Sequence, residues 1–266
     1  MTVRGRVLII AGSDSGGGAG IQADIKTVTA LGGYAATAIT AVTVQNTLGV
    51  SGVHPVPLDV VEAQARAVLD DIGADTVKTG MLGDAATVGL VARLIAEAGV
   101  PAVVDPVMVA KGGAALLAAD AVAAVREQLV PCAALLTPNA PEAEALTGLA
   151  VASTDDLRRA GEALLALGAR AVLMKGGHVP GERVVDLLMT GAGETAFETD
   201  RLETRHTHGT GCTLASACAA GLAQGLPLTD AVARAWAYVQ EAMLRAPGLG
   251  QGHGPLDHGW PLRGRA

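Results

Sequence analysis

Short apolar runs that alternate with amphipathic stretches constrain this chain more than any other feature of its sequence. The first run, residues 7–11, is followed by a glycine-rich segment at 12–20 and a helical pattern at 21–31. Further short runs that are predicted to form strands lie at 76–79, 101–105, 133–136 and 171–174. Strands that alternate with helical patterns form parallel sheets covered by helices. The pattern therefore predicts a three-layer α/β/α fold with a mainly parallel central sheet.

Two further stretches indicate β structure outside this alternation. Residues 183–189 and 194–198 alternate between apolar and polar side chains, as in an exposed hairpin. Residues near 35–55 and 105–113 are expected to form a small β/loop lid over the site. Since the sequence contains no linker, low-complexity tract or internal repeat, we expect one domain over residues 1–266.

Composition and charge exclude several classes of function. The 266 residues carry a formal charge of −7 and no run of basic residues, which argues against nucleic acid or an anionic membrane as a partner. No apolar stretch reaches the roughly 18 residues of a membrane span. Three cysteines without CxxC spacing indicate neither a disulfide framework nor a zinc site. We therefore expect a cytoplasmic protein with a small-molecule partner.

The segment 207–213 combines glycines with the start of a helical pattern. Free N–H groups and the positive end of the helix dipole meet at such a point and bind anions. Gly209 and Gly211 would let the backbone approach an anion such as a transferring phosphoryl group. Cys212 would lie in the first helical turn, where a thiol pKa tends to fall. The alternative is a glycine turn beside an inert, buried cysteine.

Polar residues also follow several of the predicted strands. Asp105 and Lys175 each end a strand, where α/β folds place their ligands. The basic strand end at Lys175 has room for a nucleotide. Asn139 and Glu142 could hold Mg²⁺ through its water shell, or they could simply cap a helix. Lys111 lies in a glycine-containing loop and is interpreted either as a lid residue that contacts phosphate or as a surface lysine.

The glycine-rich segment 12–20 matches neither the dinucleotide-binding fingerprint nor a Walker A loop. It could instead close over a small substrate, with Asp24 facing that substrate from the following helix, although a solvated helix residue is the alternative. Gln45 and Asn46 follow a β-branched run and could pair with the edge of a heterocycle, or form a polar turn.

Together these segments resemble the hydroxymethylpyrimidine/phosphomethylpyrimidine kinases, a family within the ribokinase-like superfamily. The matching stretches lie in the family's order and span nearly the whole chain: 11–14 with 16–24, 45–47, 78–82, 105–111, 137–139 with Glu142, 174–178, 208–213 and 252–255.

The resemblance implies a role for each matching residue. Gly12, Asp24, Gln45, Met81 and Val107 match positions that hold the pyrimidine. Asn139 and Glu142 match a Mg²⁺-associated pair, and Lys175 and Asp105 match positions near ATP. Gly209 and Gly211 match the anion hole, and Cys212 matches the catalytic position.

The resemblance also implies an activity. It is the phosphorylation by ATP of 4-amino-5-hydroxymethyl-2-methylpyrimidine, and then of its monophosphate, in thiamine biosynthesis. One alternative is a pyridoxal kinase of the same branch, although these are expected to carry a lid cysteine where this chain has Val109-Ala110-Lys111. Another is a binding protein that has lost turnover. The sequence leaves the oligomeric state open, with a homodimer as one expectation.

Overall fold

The computed structural model describes residues 4–109, 113, 116–118 and 120–263. The strands in this part are β1 (Arg6–Asp14), β2 (Tyr34–Asn46), β3 (Gly49–Pro55), β4 (Thr76–Thr79), β5 (Ala102–Val104), β6 (Leu135–Leu136), β7 (Ala171–Met174), β8 (Arg183–Thr190) and β9 (Gly193–Asp200). The α-helices are α1 (Gly20–Ala30), α2 (Leu58–Asp71), α3 (Ala85–Ala98), α4 (Ala121–Ala124), α5 (Ala140–Thr147), α6 (Thr154–Ala166), α7 (Thr210–Ala223) and α8 (Leu228–Leu244).

All of these strands belong to one sheet, in the order β3-β2-β1-β4-β5-β6-β7-β8-β9. The six strands from β2 to β7 in this order are parallel to one another. The outer strands β3, β8 and β9 pair antiparallel, and β8 and β9 form the hairpin expected from their alternation. The prediction of a mainly parallel sheet is confirmed.

Helices cover both faces of the sheet, as the alternation of side chains along β1 illustrates. Val7 and Ile9 point to one face, where they pack in a core with α1, α7 and α8. Leu8 and Ile10 point to the other face and join a second core built with helices α2 to α6. Because successive side chains of a strand point to opposite faces, a continuous apolar run is what a sheet buried on both sides requires.

Local capping explains where some helices begin and end. The Asp84 carboxylate accepts a hydrogen bond from the Thr87 N–H at 2.8 Å and so caps the N-terminus of α3. Gly99 ends the same helix with a φ of 64°, a conformation that glycine adopts without strain.

Two segments differ from the sequence prediction. The β structure near residues 35–55 is one long strand, β2, whose second half pairs with β3 as a hairpin at the edge of the sheet. The sequence of residues 120–129 has a helical pattern, but this segment forms only the short α4, and the chain continues through a π-helical turn at Val125–Leu129.

The lid prediction can be followed only in part. Gln45, near the end of β2, lines the site cavity, so the hairpin contributes to the site. Residues 110–112, which include Lys111, lie outside the described residues. Within the described part of the chain, none of the helices combines the length and apolar character that crossing a lipid bilayer requires.

Candidate active site

One cavity of about 730 Å³ lies beyond the carboxyl ends of the parallel strands. Eleven of the twelve site residues predicted from the sequence line it: Gly12, Gln45, Met81, Asp105, Val107, Asn139, Glu142, Lys175, Gly209, Gly211 and Cys212. A cavity of this size is typical of small-molecule sites. The fold therefore brings together residues that lie up to 200 positions apart in the sequence.

Gly12 and Met81 lie against each other in one part of the cavity wall. The register of β1 against β2 shifts between Ala11 and Ser13, and Gly12 lies at this irregularity. A Cβ at Gly12 would lie only 2.5 Å from the Met81 Cε, so glycine allows the Met81 side chain to lie against β1. The Thr40 hydroxyl donates to the Met81 carbonyl at 2.6 Å and fixes that residue's backbone.

The opposite side of the cavity is formed by the N-terminus of α7. Gly209 precedes the helix with a φ of 85°, and a side chain there would collide with the backbone oxygen of Gly18. Glycine is required for this turn, which leaves the first N–H groups of α7 without helical partners. Such N–H groups are able to bind an anion.

Lys175 and Asp105 meet the same helix end. The Lys175 Nζ donates to the Asp105 carboxylate at 3.0 Å and lies 3.8 Å from the Glu142 carboxylate. A Cβ at Gly211 would lie 3.2 Å from this Nζ, so glycine lets the lysine approach the helix. Burial alone would lower the pKa of Lys175. The nearby carboxylates of Asp105 and Glu142 together have the larger effect and raise this pKa, so the side chain stays charged. A fixed cation beside a helix N-terminus suits a phosphoryl group.

Asn139 and Glu142 cap helix α5 reciprocally. The Asn139 side chain accepts from the Glu142 N–H at 2.9 Å, and the Glu142 carboxylate accepts from the Asn139 N–H at 2.8 Å. Burial raises the pKa of Glu142 to about 7; Lys175 opposes this shift and Asp105 adds to it. The cap considered from the sequence is present, and both residues also line the cavity.

The oxygens at this end of the cavity suit a hard cation that keeps most of its water. Asp105 and Glu142 contribute carboxylates, and Asn139 contributes an amide oxygen. Among the described residues no three His, Cys, Asp or Glu side chains form a metal-ligand cluster. Mg²⁺ bound mainly through water and phosphate oxygens needs only one or two carboxylates, so the donor set fits that ion.

Cys212 lies in the first turn of α7 as predicted, but its predicted ionisation is wrong. Burial raises the pKa of the Cys212 thiol to about 12, and the negative charges of Asp24 and Asp105 add to this shift. Lys78 and a backbone N–H act in the opposite direction without offsetting it. The helix N-terminus alone therefore does not produce a thiolate, because the thiol is desolvated beside two carboxylates.

Asp24 does not line the cavity, so the expectation that it faces the substrate is corrected. Its side chain is fully buried, and both carboxylate oxygens accept from the Lys78 Nζ at 2.9 Å. The Ser216 hydroxyl donates to the same carboxylate at 2.6 Å. Ser216 lies one turn after Cys212 on the same face of α7, so Asp24 joins helices α1 and α7 to strand β4 behind the cavity wall.

Three residues of the site were not predicted from the sequence: Asp14, Lys78 and His208. All three line the cavity, and His208 Nε2 lies 2.9 Å from the Asp14 carboxylate. The position of His208 directly before Gly209 was a usable signal, since a residue that adjoins an anion site faces the same cavity. Lys78 gave a weaker signal, a lone charge inside an apolar strand, where an unpaired lysine is rarely tolerated.

Comparison with known proteins assigns the chain to a family. The phosphomethylpyrimidine kinase family model matches residues 14–257. A hydroxymethylpyrimidine/phosphomethylpyrimidine kinase of Streptomyces coelicolor is 54% identical over 256 residues, which cover 96% of this chain and 95% of that protein. The thiamine biosynthesis bifunctional protein ThiED of Geobacter sulfurreducens is also 54% identical, over 96% of this chain and 52% of its own length.

A solved structure supports the fold. The Bacillus subtilis pyridoxal kinase, determined as an ADP complex, superposes with a TM-score of 0.90 at 38% identity, covering 98% of this chain and 99% of that one. The family model, the full-length relative and the fold agree with the resemblance found in the motifs. This chain belongs to the phosphomethylpyrimidine kinase family.

Proposed function

We propose that this protein transfers the γ-phosphoryl group of ATP to 4-amino-5-hydroxymethyl-2-methylpyrimidine, and then to the resulting monophosphate, in thiamine biosynthesis. One observation carries the proposal: the N-terminus of α7 and Lys175 line the same cavity as Gln45 and Met81. Residues suited to a phosphoryl group and residues suited to a polar ring therefore share one cavity. One relative named above is a hydroxymethylpyrimidine/phosphomethylpyrimidine kinase and the other a thiamine biosynthesis protein, and both support this assignment.

Some residues of the cavity are suited to position the pyrimidine, and others are suited to neutralise the charge of the phosphoryl group. Gln45 can hydrogen-bond the edge of the pyrimidine, and Met81 and Val107 can pack on its faces. The Lys175 Nζ and the N–H groups after Gly209 can hold the transferring phosphoryl group. Phosphoryl transfer depends mainly on positioning and on neutralising charge, so this arrangement supplies what the reaction needs.

Mg²⁺ is proposed as the ion that accompanies ATP. Asn139 and Glu142, with Asp105 beside them, would hold it through its water shell at the Lys175 end of the cavity. The ion would neutralise negative charge on the phosphates.

We also propose that the enzyme acts in the cytoplasm, where ATP is available. A homodimer stays a prediction that light scattering of the purified protein can test.

Steady-state kinetics on three substrates test the assignment. We expect turnover of hydroxymethylpyrimidine and of its monophosphate, and a kcat/KM for both that exceeds the kcat/KM for pyridoxal. The pyridoxal kinase whose fold is so similar makes pyridoxal the necessary comparison. A higher kcat/KM for pyridoxal would contradict the proposal and favour the alternative substrate. ATP hydrolysis that does not depend on any of the three would contradict both.

A substitution at Gln45 tests the site itself. Gln45→Leu should raise the KM for the pyrimidine far more than the KM for ATP, because a site built to pair with a polar edge loses that pairing. Gln128→Leu, on the exposed surface of the helical turn after α4, is the matched control and should change neither. Equal increases in both KM values for Gln45→Leu would show that Gln45 does not contact the pyrimidine.

A further inference from the structure

The Gly209 carbonyl anchors the turn that begins α7. In the described part of the chain no side chain caps this helix end, whose N-cap is Gly209 itself. The carbonyl instead accepts two hydrogen bonds from Thr213, one turn further along the helix. The backbone N–H donates at 2.9 Å and the side-chain hydroxyl at 2.8 Å. Thr213 therefore holds the turn without occupying the N–H groups of Gly211 and Cys212, which are left for a ligand.

His258, in the segment that follows α8, contacts the same Thr213 hydroxyl. Its Nε2 lies 2.9 Å from the Thr213 Oγ1, and the two residues are 3% and 0% exposed. The segment is fixed on α8, because the Tyr238 hydroxyl donates to the His258 carbonyl at 2.6 Å. The Asp257 N–H also donates to the Ala242 carbonyl at 2.9 Å. One buried side chain thus connects this segment to the turn before α7.

These two contacts fix the direction of both hydrogen bonds. A backbone carbonyl only accepts, so the 2.8 Å contact with Gly209 requires the single proton of the Thr213 hydroxyl. That hydroxyl can then only accept from His258, whose Nε2 must carry a proton. Burial above all lowers the pKa of His258 to about 4, so the ring is neutral near pH 7 and its one proton lies on Nε2.

We propose that His258 and Thr213 are positioning residues for phosphoryl transfer: His258 orients the Thr213 hydroxyl, which holds the Gly209 turn and so directs the N–H groups at the start of α7. This inference rests on the proposed function and gives the segment after α8 a part in it. Among the residues that the structure describes, neither His258 nor Thr213 lines the cavity, so both act through the turn.

The effect of this pair is expected in kcat and not in the KM for the pyrimidine. Hydrogen-bond donors that are fixed in advance stabilise charge that develops during the transfer, and a small displacement of them lowers the rate. The residues suited to bind the pyrimidine, Gln45 and Met81, lie on β2 and after β4, away from the turn that Thr213 anchors. Loosening the turn therefore leaves pyrimidine binding largely unchanged.

Substitution of the Thr213 hydroxyl tests this expectation. Thr213→Val keeps the shape and removes the hydroxyl, and should lower kcat about 10- to 100-fold while the KM for the pyrimidine stays within about twofold. Thr213→Ser keeps the hydroxyl and should recover most of kcat. The matched control is Thr147→Val in α5, whose hydroxyl donates to the Ala143 carbonyl at 2.7 Å and accepts from the Leu149 N–H at 3.2 Å. It should leave kcat unchanged.

Substitutions of His258 test whether it acts through that hydroxyl. His258→Leu should lower kcat about as much as Thr213→Val, and His258→Gln, which keeps an N–H donor, should retain more activity. The double variant Thr213→Val/His258→Leu should lose little more than either single variant, because both changes remove the same connection. The Tm of each variant is measured so that rates are compared on folded protein. Unchanged kcat in Thr213→Val, equal losses in Thr213→Val and Thr213→Ser, or losses that multiply in the double variant each overturn the inference.

A spectroscopic measurement tests the hydrogen bonds without turnover. In protein labelled with ¹⁵N-histidine, the His258 signals are identified by their loss in His258→Gln. A ring that carries its proton on Nε2 supports the inference, and a ring protonated only at Nδ1 overturns it. If the natural protein phosphorylates pyridoxal and neither pyrimidine, the proposed function fails, and the same variants measured on pyridoxal then decide this inference.

Discussion

The pair formed by Asp24 and Lys78 predicts a large and specific loss of stability when Lys78 is replaced by methionine. Both side chains are 0% exposed, and the Lys78 Nζ contacts both carboxylate oxygens at 2.9 Å. Methionine has a similar length and no charge, so the substitution removes the cation and fills most of its volume. Among the residues that the structure describes, the carboxylate then keeps only the Ser216 hydroxyl as a hydrogen-bond partner. Removing one partner of a buried pair costs about 3–5 kcal/mol.

For a chain of this size, that cost corresponds to a fall of about 6–20 °C in Tm. The double variant Lys78→Met/Asp24→Asn should recover much of the loss, because the neutral amide no longer requires a counter-ion and still accepts from Ser216. Urea denaturation of the natural protein, the two single variants and the double variant gives the coupling free energy. Arg6→Met, which breaks a half-exposed pair with Asp75, is the control and should shift the midpoint far less.

Two results would refute this reasoning. A loss of less than about 1 kcal/mol in Lys78→Met would mean that the carboxylate finds other partners or water at little cost. A double variant whose loss equals the sum of the two single losses would mean that the two side chains do not stabilise each other. Either result would remove Asp24 and Lys78 as the structural connection between α1, β4 and α7.

Two further predictions concern ionisation in the cavity. The folded-state pKa of Glu142, about 7, exceeds its ordinary value of 4.5, so its protonation stabilises the fold below pH 4.5 and this contribution is lost as pH rises through 7. Glu142→Gln should therefore flatten the dependence of Tm on pH between these values, and an unchanged slope would show that another group titrates there. The raised pKa of Cys212 predicts slow alkylation by iodoacetamide at pH 7.5, whereas Cys212→Ala should still lower kcat by about 10²–10⁴-fold if the residue acts as the base. Near-normal turnover of that variant would show that the residue only fills space.

Much of the fold could be predicted because its signals are local. The strands predicted at 76–79 and 171–174 match β4 and β7 residue for residue, and Asp84 directly precedes the helix that it caps. Boundaries failed where tertiary pairing decides them. β2 is longer than its apolar pattern because the hairpin with β3 extends it, and no local rule measures that contact.

The candidate site was predictable as a set of residues and less so as an electrostatic environment. Eleven predicted residues share the cavity, since parallel strands place the residues that follow them at one edge. The sign of the Cys212 pKa shift depends on Asp24 and Asp105, which come from distant parts of the chain. In the sequence Asp24 is indistinguishable from a helix surface residue. Only the fold shows that Lys78 of β4 lies beside it.

The charges around the N-terminus of α7 explain why the Cys212 thiol stays protonated. Lys78 is paired with Asp24, and Lys175 is shared between Asp105 and Glu142, so three carboxyl groups face two ammonium groups. The raised pKa of Glu142 offsets this imbalance by letting it hold a proton near neutral pH. A thiolate at Cys212 would again give this desolvated region an excess of negative charge. This unfavourable charge raises the pKa of Cys212. Base action by Cys212 therefore requires that substrate binding change this balance. The shift between the pH dependence of kcat and that of thiol alkylation in the free enzyme measures that change.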